Sequence, residues 1–539
     1  MPSSFSVSLH AAAVGGLAML VLVTVYAFLK LRRNTAVHIV VIVLLSLLAL
    51  VVRLPHINRP LSCHHEVLTA MSMITLENWQ RQGALEHNFC LLQTYPLNTD
   101  RFIMNRGMRS MDKQGRGYYT SFPPFSIMLP YALFRLIRIE PSVLGLQIFN
   151  LVCHLLAAIL IYLTVAAIAP DGPARRYGAL LASAVFIFLP ANLWFFSNTY
   201  SWDIFWLYLW IAGLYLVARL DLAVSERRPA GRFILLLGIV GFFLVYTDHH
   251  GALFALSVVV YSLVRLRAGP YRNYLIGTAV ATSAAAILLV LLQYSTIAGP
   301  EDLCRRLLAA ASERSILSPC NPLRILSHYG FAYLSAIPVI ALAGAGLVYS
   351  RSSAGRGVTG GEVTLMLMSA ATILLHHIVF LEWTAVHDYS ALKASVFVSL
   401  LVGIGCARVV AMPVRDPIRA CALLGALAFT LYLSLAIHEH HFARCYEPGR
   451  YAALGAVIRK QSFDDEVVFA LPGADDPRID PRVIYYAGRN IQNVHRVREA
   501  RAWLEAHGRS NGVVYEIARA HRVVRVDRIG DRSETNPQR

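Results

Sequence analysis

The feature that most constrains this chain is a series of apolar segments, each long enough to cross a bilayer as one helix. A spanning helix needs roughly 20 apolar residues, and about twelve such runs occur along the 539 residues. We place them near residues 10–30, 36–54, 142–168, 177–197, 202–220, 232–248, 250–266, 274–295, 329–350, 363–381, 391–411 and 420–438. The pattern predicts an all-α polytopic membrane protein.

The composition excludes several other classes of protein. Hydrophobic residues make up 56% of the chain and charged residues only 15%, whereas an ordinary globular domain carries about 25% charged residues. A soluble protein of this size would need more polar surface to cover itself. The net charge of +17 lies largely in short connections rather than in a separate basic module, so nucleic acid is not an expected partner.

Basic residues occupy alternate connections between the apolar runs, which is the pattern of cytoplasmic loops under the positive-inside rule. These connections carry Lys30, Arg32, Arg33, Arg175, Arg176, Arg227, Arg228, Arg232, Arg265, Arg267, Arg272, Arg351, Arg356, Arg415 and Arg419. The rule predicts that both termini and the long connections 55–141 and 296–328 lie outside the cytoplasm. An arginine-rich, lysine-poor composition favours a bacterial protein, which we expect in the cytoplasmic (inner) membrane. The first apolar run is predicted to be a retained span and not a cleaved signal peptide.

The chain divides into two predicted domains. Residues 1–438 form the transmembrane domain, with a first large outer loop over 55–141. Residues 439–539 are predicted to form a small extracytoplasmic α/β domain, because strand-like runs at 467–471, 482–486, 513–516 and 523–526 alternate with helical patterns near 449–460 and 497–507.

The first outer loop has its own predicted structure. An amphipathic pattern from Leu68 to Trp79 indicates a helix along the membrane interface. The apolar run from Pro124 to Arg138 is too short to span, so it predicts a re-entrant or interfacial helix.

Cysteines occur in pairs within the two long outer loops. Cys63 and Cys90 share the first loop, and Cys304 and Cys320 share the second. The pairs are compatible with disulfides in an oxidising compartment, with unpaired thiols as the alternative.

Ionisable residues gather at the outer face on this topology, and charge beside a bilayer is costly and usually functional. The clusters are His64, His65 and Glu66; Asp203; Asp248, His249 and His250; His376 and His377; and His387, Asp388 and Lys393. The simpler alternatives are helix N-caps for Asp203 and Asp388 and interfacial polar tips for the paired histidines. The convergence of the clusters on one side favours a functional site there.

These motifs resemble those of the GT-C glycosyltransferases. The shared features are a carboxylate motif just beyond an early span, a Pro123-Pro124 start to an interfacial helix, and Asp203 at the outer end of the fifth span. The most similar branch contains the protein O-mannosyltransferases and aminoarabinose transferases, the glycosyltransferase family 39-like group. The resemblance implies a polyprenyl-phosphate-linked sugar donor, used on the outer face, and a lipid, glycan or protein acceptor.

The resemblance also implies roles for particular residues. Members carry an Asp-Glu pair in the first loop, whose Asp is taken as the general base, and the matching pair here is His65-Glu66. Either His65 or Glu66 is then the base, or the activity differs from that of the family. The second family acid matches Asp203, and the stretch from His387 to Lys393 falls where relatives place basic residues against the donor phosphate.

Glycosyl transfer gives these residue types a chemical reason. The reaction passes through an oxocarbenium-like state and needs a base for the acceptor proton, which His65 or Glu66 can supply. It also needs charge to stabilise the departing phosphate. The candidates for that role are Lys393, His387, Arg106 and Arg109.

Other possibilities stay open at this point. No metal is required by the pattern, because no HExxH spacing occurs, but a divalent ion is possible, with His65, Glu66, Asp248 and His249 as candidate ligands. The alternative functions are a polytopic transporter or lipid flippase, a non-catalytic binding protein, and a membrane transferase of another class. A transporter is expected to show internal repeats, and none stands out here.

Overall fold

The computed structural model shows the chain as a helical membrane bundle with a small sheet at its C-terminal end. It describes residues 35–62, 64–103, 110–169, 172–266, 269–314, 321–352, 359–412, 414–443, 449–472, 479–518 and 522–530. The predicted span near 10–30 and two candidate phosphate ligands, Arg106 and Arg109, lie outside these residues.

The described part of the chain is mainly helical. They are α1 Thr35–Arg53, α2 Val67–Gln82, α3 Phe125–Ile137, α4 Val143–Ile168, α5 Pro173–Phe188, α6 Pro190–Asn198, α7 Trp202–Ser225, α8 Gly231–Thr247, α9 His250–Arg265, α10 Pro270–Ala298, α11 Pro300–Arg314, α12 Pro322–Tyr333, α13 Ile337–Ser352, α14 Gly360–Val379, α15 Leu381–Val386, α16 Ala394–Val410, α17 Asp416–Ile437, α18 Arg450–Gln461, α19 Pro481–Ala487 and α20 Val497–Ala506. Short 3₁₀ turns occur at Leu54–His56, Leu85–His87, Asn98–Asp100, Leu334–Ala336 and Asp388–Lys393, and a π turn at His438–Phe442.

The all-α polytopic architecture predicted from the apolar runs is confirmed. Within the described ranges, eight segments are long and apolar enough to cross a membrane, and the bent pair α5–α6 would make a ninth. Helices α8 and α9, with 17 and 16 residues, are apolar but shorter. The total of about twelve spans stays a prediction.

The bend of 60° between α5 and α6 has a local cause. Pro190 has no backbone N–H to donate to the preceding turn, so it ends one helix and starts the next. The side-chain amide of Asn192 instead donates to the Phe186 carbonyl at 2.7 Å. The break directs the end of α6 toward the first loop, where the Thr199 hydroxyl donates to the His64 carbonyl at 3.0 Å.

Helix α16 lies in the centre of the bundle, and 89% of its spanning window is buried. Glycines allow its neighbours to approach closely, as is common between membrane helices. A Cβ added to Gly178 of α5 would lie 2.2 Å from the Gly403 carbonyl oxygen. Tight packing therefore fixes the position of Lys393, which immediately precedes α16.

The first outer loop contains both predicted helices, α2 and α3, and a short antiparallel ribbon. Its strands are β1 Ser110–Met111 and β2 Gly117–Tyr118, with Ser110 paired to Tyr118. Helix α2 has few exposed side chains, since C-terminal residues cover part of it; Ile74 belongs to the core of the C-terminal sheet. The predicted amphipathic helix is therefore buried on more than one side.

The C-terminal segment is an α/β unit, as predicted. Its strands are β3 Val467–Pro472, β4 Gln492–Asn493, β5 Gly512–Ala518 and β6 Arg522–Ile529, in the order β4-β3-β5-β6. Strand β3 is parallel to β4 and β5, and β6 is antiparallel to β5.

One strand prediction in this unit is wrong. The run 482–486 belongs to helix α19, not to a strand. The Asp480 side chain accepts a hydrogen bond from the Arg482 amide at 2.9 Å, and Pro481 stands at the first helical position. Both are helix-start features that outweigh the β-type residues that follow.

The C-terminal unit packs directly on the first outer loop. The Asn490 side chain accepts from the Tyr95 amide at 2.9 Å and donates to the Tyr95 carbonyl at 3.0 Å. The Arg489 guanidinium lies 3.2 Å from the Asp100 carboxylate. Burial raises the pKa of Asp100, and Arg489 opposes that shift. The loop and the C-terminal unit thus share a side of the bundle.

Only one member of each cysteine pair in the two long loops lies within the described residues. Cys90 and Cys304 are both free thiols, whereas Cys63 and Cys320 lie outside the described residues. Cys90 packs inside the loop, with its sulfur 3.4 Å from the Gln293 carbonyl. Burial raises its pKa to about 12. The alternative of unpaired thiols therefore holds for these two cysteines.

Candidate active site

The 3₁₀ turn Asp388–Lys393, between α15 and α16, links two groups of ionisable side chains. Asp388 begins the turn and Lys393 ends it, so their backbones lie roughly 10 Å apart at a rise of about 2 Å per residue. Each end receives partners from a distant part of the chain. The turn therefore joins the first loop and α7 into one candidate site.

The first group is a histidine–aspartate cluster of His64, His65, His387 and Asp388. One Asp388 oxygen lies 3.2 Å from Nδ1 of His64, and the other lies 3.0 Å from Nε2 of His65. His387 Nδ1 lies 3.3 Å from His65 Nδ1. Asp388 can therefore orient both histidines of the first loop, and His65 is the more exposed of the two.

The backbone of these histidines is in a conformation that side-chain-bearing residues rarely adopt. His64 has φ of 44° and His65 has φ of 64°. Left-handed conformations at non-glycine residues cost energy and concentrate at functional sites, where surrounding contacts enforce them. Here the contacts of Asp388 with both imidazoles, and of Thr199 with the His64 carbonyl, supply that enforcement.

Glu66 follows directly but faces a different set of partners. Its two oxygens lie 2.5 and 3.1 Å from the two terminal nitrogens of Arg59, and the Ser62 amide donates to it at 2.5 Å. The Arg482 guanidinium donates to the Ser62 carbonyl and ties this turn to the C-terminal unit. Burial raises the pKa of Glu66, while Arg59 and the Ser62 amide favour the ionised form. Glu66 is thus held as part of a closed ion pair.

The second group centres on a buried pair between Lys393 and Asp203. The Lys393 ammonium lies 2.5 Å from Oδ1 of Asp203, and both side chains are only 2% exposed. Asp203 stands in the first turn of α7, where the helix dipole favours a negative charge. The N-cap of α7 is Ser201. The simpler alternative, that Asp203 is a helix N-cap, is therefore wrong. Within the described chain, Oδ2 of Asp203 accepts no hydrogen bond.

Asp248 and His250 complete this second group. His250 Nδ1 lies 2.8 Å from Oδ2 of Asp248. Asp203, Asp248 and His250 each offer one ligand atom, and these atoms lie within 4.8 Å of one another. Two carboxylates and an imidazole are suitable donors for a divalent ion such as Zn²⁺ or Mn²⁺, so these three residues can hold a metal.

The structure brings together some of the predicted site residues and separates others. Lys393 contacts Asp203, and His387 contacts His65. Of the four predicted metal ligands, only Asp248 belongs to the group of three residues that can hold an ion. The other three have different partners. His65 contacts Asp388, Glu66 contacts Arg59, and His249 lies 2.9 Å from the Ser121 carbonyl.

The sequence pattern assigns no catalytic role to two important partners. It places Asp388 in an outer-face motif or at a helix cap, and it includes Arg59 in none of the predicted motifs. The proximity of Asp388 to His387 is a weak signal for it. The pairing of Arg59 with Glu66 gives no sequence signal, because a separation of seven positions in a loop sets no fixed geometry.

Comparisons with known proteins add a fold assignment. No family model matches the chain, and no curated protein matches its sequence. ArnT from Cupriavidus metallidurans, bound to undecaprenyl phosphate, is similar with a TM-score of 0.57 and 13% identity, over 88% of this chain and 92% of ArnT. The archaeal oligosaccharyltransferase AglB from Archaeoglobus fulgidus, in complex with an inhibitory peptide and a dolichol-phosphate, gives 0.54 and 13%, over 89% and 69%.

A third similar structure is the Archaeoglobus fulgidus oligosaccharyltransferase in complex with Zn and sulfate. It gives a TM-score of 0.52 and 14% identity, over 88% of this chain and 67% of that one. These neighbours are GT-C membrane glycosyltransferases. The chain therefore has the GT-C fold, and the resemblance seen in the sequence is confirmed at the level of the fold.

Proposed function

We propose that the protein is a membrane glycosyltransferase that moves a sugar from a polyprenyl-phosphate carrier to a lipid, glycan or protein acceptor. The GT-C fold supports this function over a transporter or lipid flippase. The structures of ArnT with undecaprenyl phosphate and of AglB with dolichol-phosphate and a peptide support a lipid-phosphate donor. We place the reaction at the outer face of a bacterial cytoplasmic membrane.

The general base in this proposal is His65. The observation that carries the assignment is the contact of 3.0 Å between its Nε2 and Asp388, which orients the ring and stabilises the imidazolium that forms on proton uptake. The other candidate, Glu66, is only 1% exposed and has both oxygens engaged by Arg59, whereas the His65 side chain is 21% exposed. His65 takes the acceptor proton at Nδ1, in place of its contact with His387, while the acceptor oxygen or nitrogen attacks the sugar and the bond to the carrier phosphate breaks. We expect inversion at the anomeric carbon.

The departing phosphate needs positive charge, and Lys393 is the proposed source. Its ammonium lies at the end of the same turn that begins with Asp388, so the residue that orients the base and the cation belong to one short element. Asp203 holds the ammonium in place while the donor is absent. His387 is a second donor to phosphate, next to His65, and Arg106 and Arg109 remain proposed ligands from the first loop.

A divalent ion is a further part of the proposal. Asp203, Asp248 and His250 would hold it, and when bound it would supply Lewis-acid stabilisation of the phosphate oxygens. The similar oligosaccharyltransferase with Zn and sulfate supports testing Zn²⁺ and Mn²⁺ first. A chelator, followed by restoration with each ion, is the corresponding measurement.

The proposal is tested by transfer of radiolabelled sugar in proteoliposomes, using a panel of polyprenyl-phosphate sugars and acceptor extracts. We expect transfer by the wild type and loss of transfer in H65Q and D203N. The matched controls are H87Q, a buried histidine of the same loop, and D221N, a carboxylate on the same helix as Asp203. Transfer that survives in H65Q and D203N would overturn the site assignment, and equal loss in the controls would indicate a folding defect.

A further inference from the structure

A polar cavity lies at the end of the bundle that is remote from the candidate active site. It has a volume of about 400 Å³ and is formed where α1, α4, α5 and α7 meet. Its lining residues are Thr35, Tyr162, Leu163, Ala166, Ala167, Gly172, Arg175, Arg176, Tyr215, Arg219 and Leu222. None of the proposed catalytic residues lines it.

The position of this cavity follows from helix α7, which reaches both sites. Asp203 stands in its first turn and Arg219 near its end, so the two residues are separated by roughly 24 Å at a rise of about 1.5 Å per residue. That distance approaches the hydrocarbon thickness of a bilayer, which is about 30 Å. The cavity therefore opens toward the other membrane leaflet, which is the cytoplasmic one on the predicted topology.

Three arginines line the cavity: Arg175, Arg176 and Arg219. The Arg219 guanidinium is held over the rings of Tyr215 and Phe233, at 5.9 and 5.7 Å, and one of its nitrogens donates to the Tyr215 hydroxyl at 3.2 Å. Its Nε is buried and has no hydrogen-bond partner within the described part of the chain. A guanidinium held in this way is preorganised for an anion.

The remaining lining residues distinguish between possible anions. Arginine forks match the oxygens of a phosphate group, and the tyrosine hydroxyls of Tyr162 and Tyr215 can donate to the same group. Leu163 and Leu222 add apolar wall beside the charged residues. A ligand with a phosphate headgroup and an attached hydrocarbon chain matches both the polar and the apolar residues that line the cavity.

We propose that this cavity binds the phosphate headgroup of an anionic membrane lipid, at a site separate from the transfer site. The bound headgroup lies against Arg175, Arg176 and Arg219 and joins the ends of four helices. Free phosphate shares the headgroup chemistry but lacks the hydrocarbon chain, so a comparison of the two identifies the source of the ligand.

The test measures thermal stability and lipid retention of the full chain in a neutral detergent. Phosphatidylglycerol, phosphatidylcholine and inorganic phosphate are added separately, and retained lipid is counted by native mass spectrometry. The test variant is R175Q/R176Q/R219Q, and the matched control is R227Q/R228Q/R232Q, which removes three exposed charges near the same end of the bundle.

We expect phosphatidylglycerol to raise the melting temperature of the wild type and of the control variant. In the test variant we expect retention of phosphatidylglycerol to fall about tenfold, which corresponds to about 1.4 kcal/mol of binding free energy. Equal retention by test and control variants would overturn the proposal, and so would equal protection by inorganic phosphate or phosphatidylcholine. If the triple variant does not fold, R219Q and Y215F are compared with R232Q in the same assay, with the same expectations.

Discussion

Glu66 and Asp203 are both buried carboxylates, each paired at 2.5 Å with one basic residue, yet their surroundings differ. Arg59 and the Ser62 amide occupy both oxygens of Glu66. Lys393 occupies one oxygen of Asp203, and the other accepts no hydrogen bond within the described chain. The Glu66 pair is therefore complete in itself, whereas the Asp203 pair keeps the capacity to bind something further.

The choice of cation reinforces this difference. A guanidinium binds a carboxylate through two parallel hydrogen bonds and holds it in one geometry, while an ammonium is a point charge that can exchange partners. Arg59 therefore suits a structural turn, and Lys393 suits a site where an incoming phosphate competes with Asp203. Four predictions test this comparison.

The largest expected effect separates the two acids by activity. We expect D203N to lower sugar transfer by about 10³-fold, because a charge that positions the phosphate ligand is lost. We expect E66Q to stay within about tenfold of the wild type, equivalent to about 1.4 kcal/mol in the barrier. The measurement is the initial rate of sugar transfer at matched protein amounts. Comparable losses of transfer in D203N and E66Q would contradict the proposed difference between the two pairs.

The second prediction concerns replacement of both partners in each pair. Removing one member of a buried pair costs about 3–5 kcal/mol, whereas replacing both with residues of similar volume is often neutral. We expect R59M/E66Q and D203L/K393M each to be more stable than the single variants R59M and K393M. Only R59M/E66Q should recover transfer. Recovery of transfer in D203L/K393M would show that the Asp203 pair is structural too.

The third prediction extends the comparison to the residue beside Glu66. We expect H65Q to lose about 10²–10⁴-fold in transfer, which is typical for a general base, with little change in melting temperature. D388N should lose less than H65Q, because it acts through the orientation of the imidazole. If H65Q kept wild-type activity while E66Q lost it, the roles of the two neighbours would be reversed.

The smallest effect is the pH dependence of the Glu66 contribution. Burial raises the pKa of Glu66 above its ordinary value of 4.5, so the folded protein holds this proton more tightly than the unfolded chain. The stability from that difference is complete below pH 4.5 and declines as the pH rises through the folded pKa. We expect the melting temperature of the wild type, relative to E66Q, to decrease from pH 4.5 to 7. An increase over that range would contradict the sign.

The sequence predicted the bundle well because long apolar runs have few structural solutions in a membrane. The predicted runs 142–168 and 202–220 correspond to α4 and α7 within a few residues. A short pattern gave a wrong result. The run 482–486 has strand-type residues, but the N-cap Asp480 and Pro481 at the first helical position start a helix there.

The candidate site could be predicted only as a set of residue types on one face. Lys393 and Asp203 are 190 positions apart, and Asp388 and His64 are 324 apart, so no periodicity relates them. Motif resemblance pointed to His65, Glu66 and Asp203 but gave no reason to separate their roles. That separation depends on Arg59 and Asp388, whose contacts arise only from packing.

The contact between Asn490 and Tyr95 has a consequence for biosynthesis. The two residues are 395 positions apart, so at a synthesis rate of roughly 5–20 residues per second the first loop waits about 20–80 s for the segment that covers it. During this interval α2 and the turn at Glu66 lack part of their final packing. A chain that has not yet reached Asn490 therefore cannot assemble the complete site.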